Sequence, residues 1–219
     1  MSLGIGTTCS TQLLPKREFD KIRELPLLSF TMRIIAGKAK GYVVKVPQGE
    51  VRPTQDRVRE ALFNILGSLV ENASILDLFC GSGSVGLEAL SRGAARVRMV
   101  DASRASCAMA RQNLERSKLE GGSVVQSDCL QFVRRDAGKY DIIFADPPYC
   151  KAVGDRDMIA ELMTDRLHEL MAPGAYFIAE AQVGYGVGDA HTREFPGWKL
   201  VDERSYGGNT ILFYQTDDV

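Results

Sequence analysis

Two short strings in this chain have residue types and spacing suited to chemistry. The first runs Asp77-Leu78-Phe79-Cys80-Gly81-Ser82-Gly83-Ser84-Val85-Gly86, a G-x-G-x-x-G pattern between an apolar run and a helical pattern. Glycines there let the backbone turn sharply and approach a ligand, with the amides of a helix N-terminus aimed at it. The spacing by itself also marks dinucleotide-binding dehydrogenases. Asp101 ends the next strand pattern, 15 residues after Gly86, where a carboxylate can accept hydrogen bonds from ribose hydroxyls. Asp128, after the third strand pattern, suits an adenine amino group. Either aspartate alone reads equally well as a helix cap or turn residue. Asp77 sits inside the strand, where a nicotinamide fingerprint carries an apolar residue. It either fixes the loop or reaches a cationic ligand tail.

The second string is Asp146-Pro147-Pro148-Tyr149, directly after the apolar run Ile142-Ile143-Phe144-Ala145. Two prolines stiffen the backbone and remove two donors, so nearby carbonyls stay free to accept. Beside the Asp146 carboxylate this makes a compact acceptor cluster, flanked by the flat face of Tyr149. Such a cluster holds both protons of a planar amine, such as a nucleobase –NH2, while the ring stacks on the tyrosine. An Asp-Pro-Pro turn with no chemistry is the plain alternative.

The elements that must position these strings follow from periodicity. Residues 33–47 read as two short strands around a basic turn. Thr54 stands where a helix N-cap is expected, before Val58, Leu62, Ile65, Leu66 and Leu69 at helical spacing, with Gly67 weakening or ending that helix. Strands are expected at 74–79, 96–100, 123–126, 140–145 and 175–181, and helices at 84–92, 104–118 and about 157–171, the last stopped by Pro173-Gly174. Two closing strands, 198–204 and 210–215, lack a helix between them and predict an antiparallel edge hairpin. Alternating strands and helices imply an α/β fold: a mostly parallel sheet with helices on both faces.

Composition narrows the partners. The 219 residues carry 27 Lys/Arg and 28 Asp/Glu, a net charge of −1. Residues 1–60 hold eleven Lys/Arg against six Asp/Glu, so a basic N-terminal part precedes a mildly acidic body. That points to a local anionic partner, unless the unevenness is only a solvated face. No apolar run reaches membrane-span length, and no membrane partner is expected. Five cysteines without a C-x-x-C pair suggest a reducing, cytosolic setting, with neither disulfides nor a zinc site. His168 and His191 are the two histidines and read as surface residues, so no metal is expected. Residues 1–31 read as a detachable extension, partly disordered. Residues 32–70 read as a basic hairpin and helix on the core, and 71–219 as the main domain.

The two strings together resemble class I S-adenosylmethionine-dependent methyltransferases that act on exocyclic amines. Met32-Arg33-Ile34-Ile35-Ala36-Gly37, Arg52-Pro53-Thr54, Arg57-Val58-Arg59-Glu60-Ala61-Leu62-Phe63-Asn64 and Gly86-Leu87-Glu88-Ala89-Leu90-Ser91-Arg92-Gly93-Ala94 are similar to the bacterial 16S ribosomal RNA guanine-N2 methyltransferases, the RsmD family. The likeness runs from about Met32 to Tyr214. Residues 1–31 and one extra glycine in the turn Tyr206–Thr210 depart from it. The resemblance implies a Rossmann-like sheet of seven strands and S-adenosylmethionine as cosubstrate, without a metal. It implies a guanine N2 in 16S ribosomal RNA or the small subunit as acceptor, and a monomer is expected. Asp146, Pro147 and Tyr149 would hold the base. Asp77, Gly81, Gly83, Gly86, Asp101 and Asp128 would hold the cosubstrate, with Thr54 near its carboxylate. Arg33, Lys38, Lys40, Lys45, Arg52, Arg57 and Arg59 would face RNA, although Arg57 and Arg59 can instead pair with Asp56 and Glu60. Trp198 reads as packing. The rivals are an adenine-N6 methyltransferase, a non-catalytic RNA-binding ribosome-assembly protein on the same fold, and a nicotinamide-dependent oxidoreductase, in which Asp146–Tyr149 would have no role.

Overall fold

The segment Ser74–Leu78 is a strand in which Ile75, Leu76, Asp77 and Leu78 are all buried. A strand buried on both faces needs cover on both, which selects the interior of a parallel sheet with helices on either side. The computed structural model describes residues 32–46, 53–148, 156–182, 195–206 and 208–217, with the backbone only over 53–57 and at 182. These residues belong to one unit spanning Thr31–Val219. In chain order the elements are β1 (Met32–Arg33), β2 (Val43–Val44), α1 (Pro53–Leu66), a 3-10 turn (Gly67–Val70), β3 (Ser74–Leu78), α2 (Ser84–Ser91), β4 (Arg96–Asp101) and α3 (Arg104–Ser117). There follow β5 (Gly122–Gln126), α4 (Cys129–Arg135), β6 (Tyr140–Ala145), α5 (Met158–Leu162), α6 (Asp165–His168), β7 (Met171–Gln182), β8 (Trp198–Tyr206) and β9 (Asn209–Thr216).

Seven strands form one sheet in the order β5-β4-β3-β6-β7-β9-β8. Neighbours from β5 to β7 are parallel, and β9 runs antiparallel between β7 and β8. This is the mostly parallel sheet with an antiparallel edge hairpin that the strand–helix alternation predicts, with the seven strands that the resemblance implied. Alternate residues of each strand face opposite layers. On the Ile75 side lie Val58, Leu62, Phe63 and Leu66 of α1, Ala89 and Leu90 of α2, and Ala110 of α3. On the Leu76 side lie Phe132 and Val133 of α4, Ile159 and Leu162 of α5, and Leu167 of α6.

Five local expectations change. The helix expected at 157–171 is two short helices, interrupted at Thr164, whose backbone is extended. β7 then starts at Met171 and carries Pro173-Gly174 within it. The register shifts between the pairs Tyr140–Met171 and Ile142–Tyr176, so the proline occupies an irregularity rather than a regular rung. Helix α4 was not legible, since seven residues give too little periodicity. α1 begins at Pro53, whose fixed φ suits a first helical position, so Thr54 is the second helical residue and not an N-cap. Trp198 packs as expected, buried against Phe177 with ring centroids 5.7 Å apart, whereas His168 is half-buried beside it rather than on open surface. The readings of residues 1–31, His191 and Tyr149 fall outside the described residues. Among the described residues no helix is long and apolar enough to cross a membrane, and no cluster of His, Cys, Asp and Glu could hold a metal.

The β1–β2 hairpin pairs Met32 with Val44 and Arg33 with Val43. Met32, Ile34 and Val44 pack on Leu87 of α2. Its orientation is set by polar groups. Glu88 is fully buried and accepts the amides of Ile35 at 2.7 Å and Ala36 at 3.1 Å, and Nε of Arg92 at 2.7 Å. Ser91 donates to Ala36 O at 2.5 Å and accepts from the Ala39 amide at 2.9 Å. Gly37 crosses so close that a Cβ there would lie 1.8 Å from Ser91 O. Glu88→Ala would strand two amides and a cation, so we expect a loss of about 2–4 kcal/mol in denaturant unfolding. Hydrogen exchange at Ile35 and Ala36 is expected to rise well before global unfolding, and unchanged exchange there would refute the clamp.

Candidate functional site

Sheet order, which no sequence pattern reveals, brings the two strings together. β3 and β6 are adjacent and parallel, with Leu78 opposite Ala145. The glycine loop leaves β3 one residue after Leu78, and Asp146 follows Ala145 directly. Both therefore emerge at the carboxyl edge of the sheet, where ligands of such folds bind. β4 and β5 lie on the other side of β3, so Asp101 and Asp128 stand on the flank opposite Asp146. An elongated ligand laid across β5, β4 and β3 would present one end to Asp146.

The loop is built from backbone and carboxylates. Asp77, 1% exposed, accepts the Gly86 amide on Oδ2 at 3.0 Å and ties β3 to the first turn of α2. Burial pushes its carboxyl up to about 7, with the Gly86 N–H opposing and the Asp101 charge adding. Of the two roles open in the sequence, it fills the loop-fixing one. Asp101 accepts the Gly81 amide on Oδ2 at 2.9 Å and the Ser103 amide on Oδ1 at 2.7 Å. Each oxygen retains a lone-pair direction for a further donor. Asp128 caps α4 through the Gln131 amide at 2.9 Å, the cap role weighed for it, while staying exposed at the same edge. The glycines divide the work. A Cβ on Gly86 would meet Met99 Cγ at 2.6 Å, and one on Gly83 would meet Met99 Sδ at 3.0 Å, so these two allow α2 to sit on β4. Gly81, at φ 53°, faces open space and leaves room for a ligand. The first amides of α2 have no partner in their own helix. These features fit S-adenosylmethionine: carboxylate acceptors for hydroxyls and an amine, loop amides for a carboxylate, and an open approach at Gly81.

Phe79 holds φ 62° just before the loop, a conformation rare for a large side chain and common at binding sites. No sequence signal marks it. Cys80 within the loop is buried, and burial raises its thiol far above neutrality, so it supplies no thiolate. Asp146 is half-buried, Pro147 buried and Pro148 exposed. Tyr149 lies outside the described residues. So do Arg52 and the side chains of Thr54 and Arg57, although the backbone of α1 is described from Pro53.

The predicted RNA-facing cations do not form one patch. Arg33 is exposed on β1. Arg59 is 4% exposed and donates from Nη2 to Arg33 O at 2.7 Å. It fastens α1 to the hairpin instead of facing a partner, because the helical stripe that buries Val58 and Leu62 also turns it inward. Lys38 and Lys40 lie at the hairpin tip, where Lys38 N–H donates to Ser91 O at 2.8 Å. Ser91 ends α2, and α2 runs back from the carboxyl edge, so the tip sits toward the opposite edge. There Lys38, Lys40, Tyr42, Lys118 and Leu119 line a cavity of about 590 Å³.

The family model described as "Conserved hypothetical protein 95" matches residues 32–215. The chain belongs to this family. Ribosomal RNA small subunit methyltransferase D of Escherichia coli strain K12 is 33% identical over 187 residues, 85% of this chain and 90% of that protein. The solved structure of Escherichia coli yhhF is 34% identical with a TM-score of 0.72, covering 85% of this chain and 98% of that one. A structure titled as the SAM-dependent methyltransferase from Agrobacterium tumefaciens is 26% identical with a TM-score of 0.52, covering 64% of this chain and 49% of that one. The family is the one whose motifs the sequence resembles.

Asp77 makes a pH prediction. Its folded carboxyl titrates near 7 against an ordinary 3.8, so the native state holds a proton that the unfolded chain has lost. Stability should therefore fall as pH rises from about 4 to 7, by at most ~4 kcal/mol, and level off above. Asp77→Asn keeps an acceptor for Gly86 and removes the charge. Urea unfolding between pH 4.5 and 8 should show a flatter profile for the variant, and an unchanged profile would overturn this account.

Proposed function

We propose that this chain transfers a methyl group from S-adenosylmethionine to the exocyclic N2 amine of a guanine in small-subunit (16S) ribosomal RNA. The observation that carries this reading is the emergence of the glycine loop and Asp146-Pro147-Pro148 side by side from β3 and β6, with Asp101 and Asp128 on the far flank. The relative named as small-subunit ribosomal RNA methyltransferase D supports the acceptor.

S-adenosylmethionine, when bound, supplies a methyl already activated on a cationic sulfur. The chain's task is then placement. Gly81 leaves space for the ligand, Asp101 and Asp128 accept from its hydroxyls and amine, and Gly83, Gly86 and Asp77 keep the loop in shape. Thr54 and the amides of α2 take its carboxylate. Asp146 and the Pro147 carbonyl accept the two N–H bonds of the guanine amine, which turns its lone pair toward the methyl. Tyr149 stacks on a base that has left its helix or already lies unpaired. As the N–C bond forms, the methyl–sulfur bond breaks, its electron pair leaves with the sulfur as S-adenosylhomocysteine, and the amine proton passes to water or to Asp146. Positioning and electrostatics supply most of the rate.

Arg33, Lys38, Lys40, Arg52 and Arg57 contact phosphates in this reading, with Lys38 and Lys40 at a second point remote from the reacting base. Such contacts add affinity and salt dependence rather than sequence choice. Replacing Lys38 and Lys40 together by Ala should reduce the slope of log affinity against log salt by about 2 for 16S RNA, leaving the identity of the modified nucleoside unchanged. An unaltered slope would exclude them as phosphate contacts.

The decisive assay uses labelled S-adenosylmethionine, small subunits lacking the modification, and nucleoside identification after digestion. Label in N2-methylguanosine is expected, whereas label in N6-methyladenosine would replace the acceptor. Asp146→Ala should abolish transfer while S-adenosylhomocysteine binding stays within a few-fold. Surviving turnover would sink the amine-positioning account.

A further inference from the structure

Asn113 on α3 has no place in the motifs, yet it is fully buried and makes three hydrogen bonds. Its Oδ1 accepts the Lys45 amide at 3.0 Å, while its Nδ2 donates to Lys45 O at 2.8 Å and to Ser82 O at 3.0 Å. Both amide protons are used, and no aliphatic or acidic side chain can reproduce this set. Ser82 lies between Gly81 and Gly83 at the crown of the loop. The Ser82–Gly83 peptide is thereby held at both ends, since the Gly83 amide donates to Cys80 O at 2.7 Å. Lys45 directly follows β2, on the stretch that leads to Arg52 and α1. Glu88 and Ser91 pin the incoming strand and tip of the same hairpin to α2, so the outgoing strand is the part whose tether reaches the loop.

We infer that Asn113 is a positioning residue that couples the cosubstrate loop to the basic hairpin. The inference rests on the reading of Gly81–Gly86 as the cosubstrate loop. A ligand that orders the Ser82 peptide also orders Lys45 through one buried carboxamide. An RNA that settles the hairpin settles the loop in return, because such coupling is reciprocal. Asn113 touches neither reactant and acts through Ser82 and Lys45.

The test measures binding of S-adenosylhomocysteine to the full chain, with and without unmodified 16S ribosomal RNA. In the native protein the RNA should tighten that binding about fivefold or more. In Asn113→Asp, which keeps the shape but faces two carbonyls with a carboxylate, the ratio should fall to within about twofold of one. A role confined to stability would lower the unfolding midpoint and leave the ratio unchanged. Hydrogen exchange on the native chain removes dependence on the variant's folding: S-adenosylhomocysteine should slow exchange of the Lys45 amide. Retention of the ratio in Asn113→Asp, a native ratio of one, or unchanged exchange at Lys45 would each overturn the coupling. Failure of the native chain to bind S-adenosylhomocysteine at all would instead overturn the cosubstrate reading, and the coupling with it.

Discussion

The hydrogen bond from the Gly86 amide to the buried carboxylate of Asp77 is the interaction on which the site depends. A strand in the middle of a parallel sheet is expected to be apolar on both faces. Here one inward position is an acid: desolvation pushes its carboxyl up, one backbone donor opposes that, and the nearby Asp101 charge adds to it. The result is a fixed distance between the strand and the first turn of the next helix. Asp101 does the same for the start of the loop through the Gly81 amide. Between these two carboxylates the backbone passes through Phe79 at positive φ, a strain that the surrounding packing sustains.

The hairpin of residues 32–46 is a different kind of attachment. Its apolar contribution is a small cluster on Leu87, while Glu88, Ser91 and Asn113 hold its backbone. Hydrogen bonds of this sort are directional, and those to the charged Glu88 are among the stronger ones. They define where the hairpin sits along α2 and α3 far more narrowly than apolar contact would. Arg59, turned inward onto Arg33 O, adds α1 to the same joint. A basic segment that looks in sequence like a ribbon of solvated charge is thus partly a structural fastening.

The described residues consequently present two separate regions. One is the carboxyl edge, with the loop and Asp146. The other is the hairpin tip with Lys38, Lys40 and Lys118 around a cavity toward the opposite edge. α2 runs between them, so the two regions are held at a fixed separation by one helix.

Much of this was legible in the residues themselves. Strand–helix alternation and the Gly81–Gly86 spacing made the fold class legible, because it depends on local backbone demands that a few residue types satisfy, and the same reading marked Asp101 and Asp146–Tyr149 as candidates for the site. α4 and the break at Thr164 were not, since helices of seven residues or fewer carry little periodicity. The orientation of Arg59 and the partners of Asn113 and Glu88 were not legible either, because a buried polar side chain is defined by what faces it. Asn113 does fall on the buried stripe with Cys107 and Ala110, which marks it as inward without naming Lys45 or Ser82. Strand order was decided only in three dimensions. Sequence by itself determined the run of strands and helices and nominated residues suited to binding and reaction, through their types and local spacing. Tertiary structure alone decided which stand together, because adjacency across a sheet comes from non-local pairing that leaves no periodic trace in the chain.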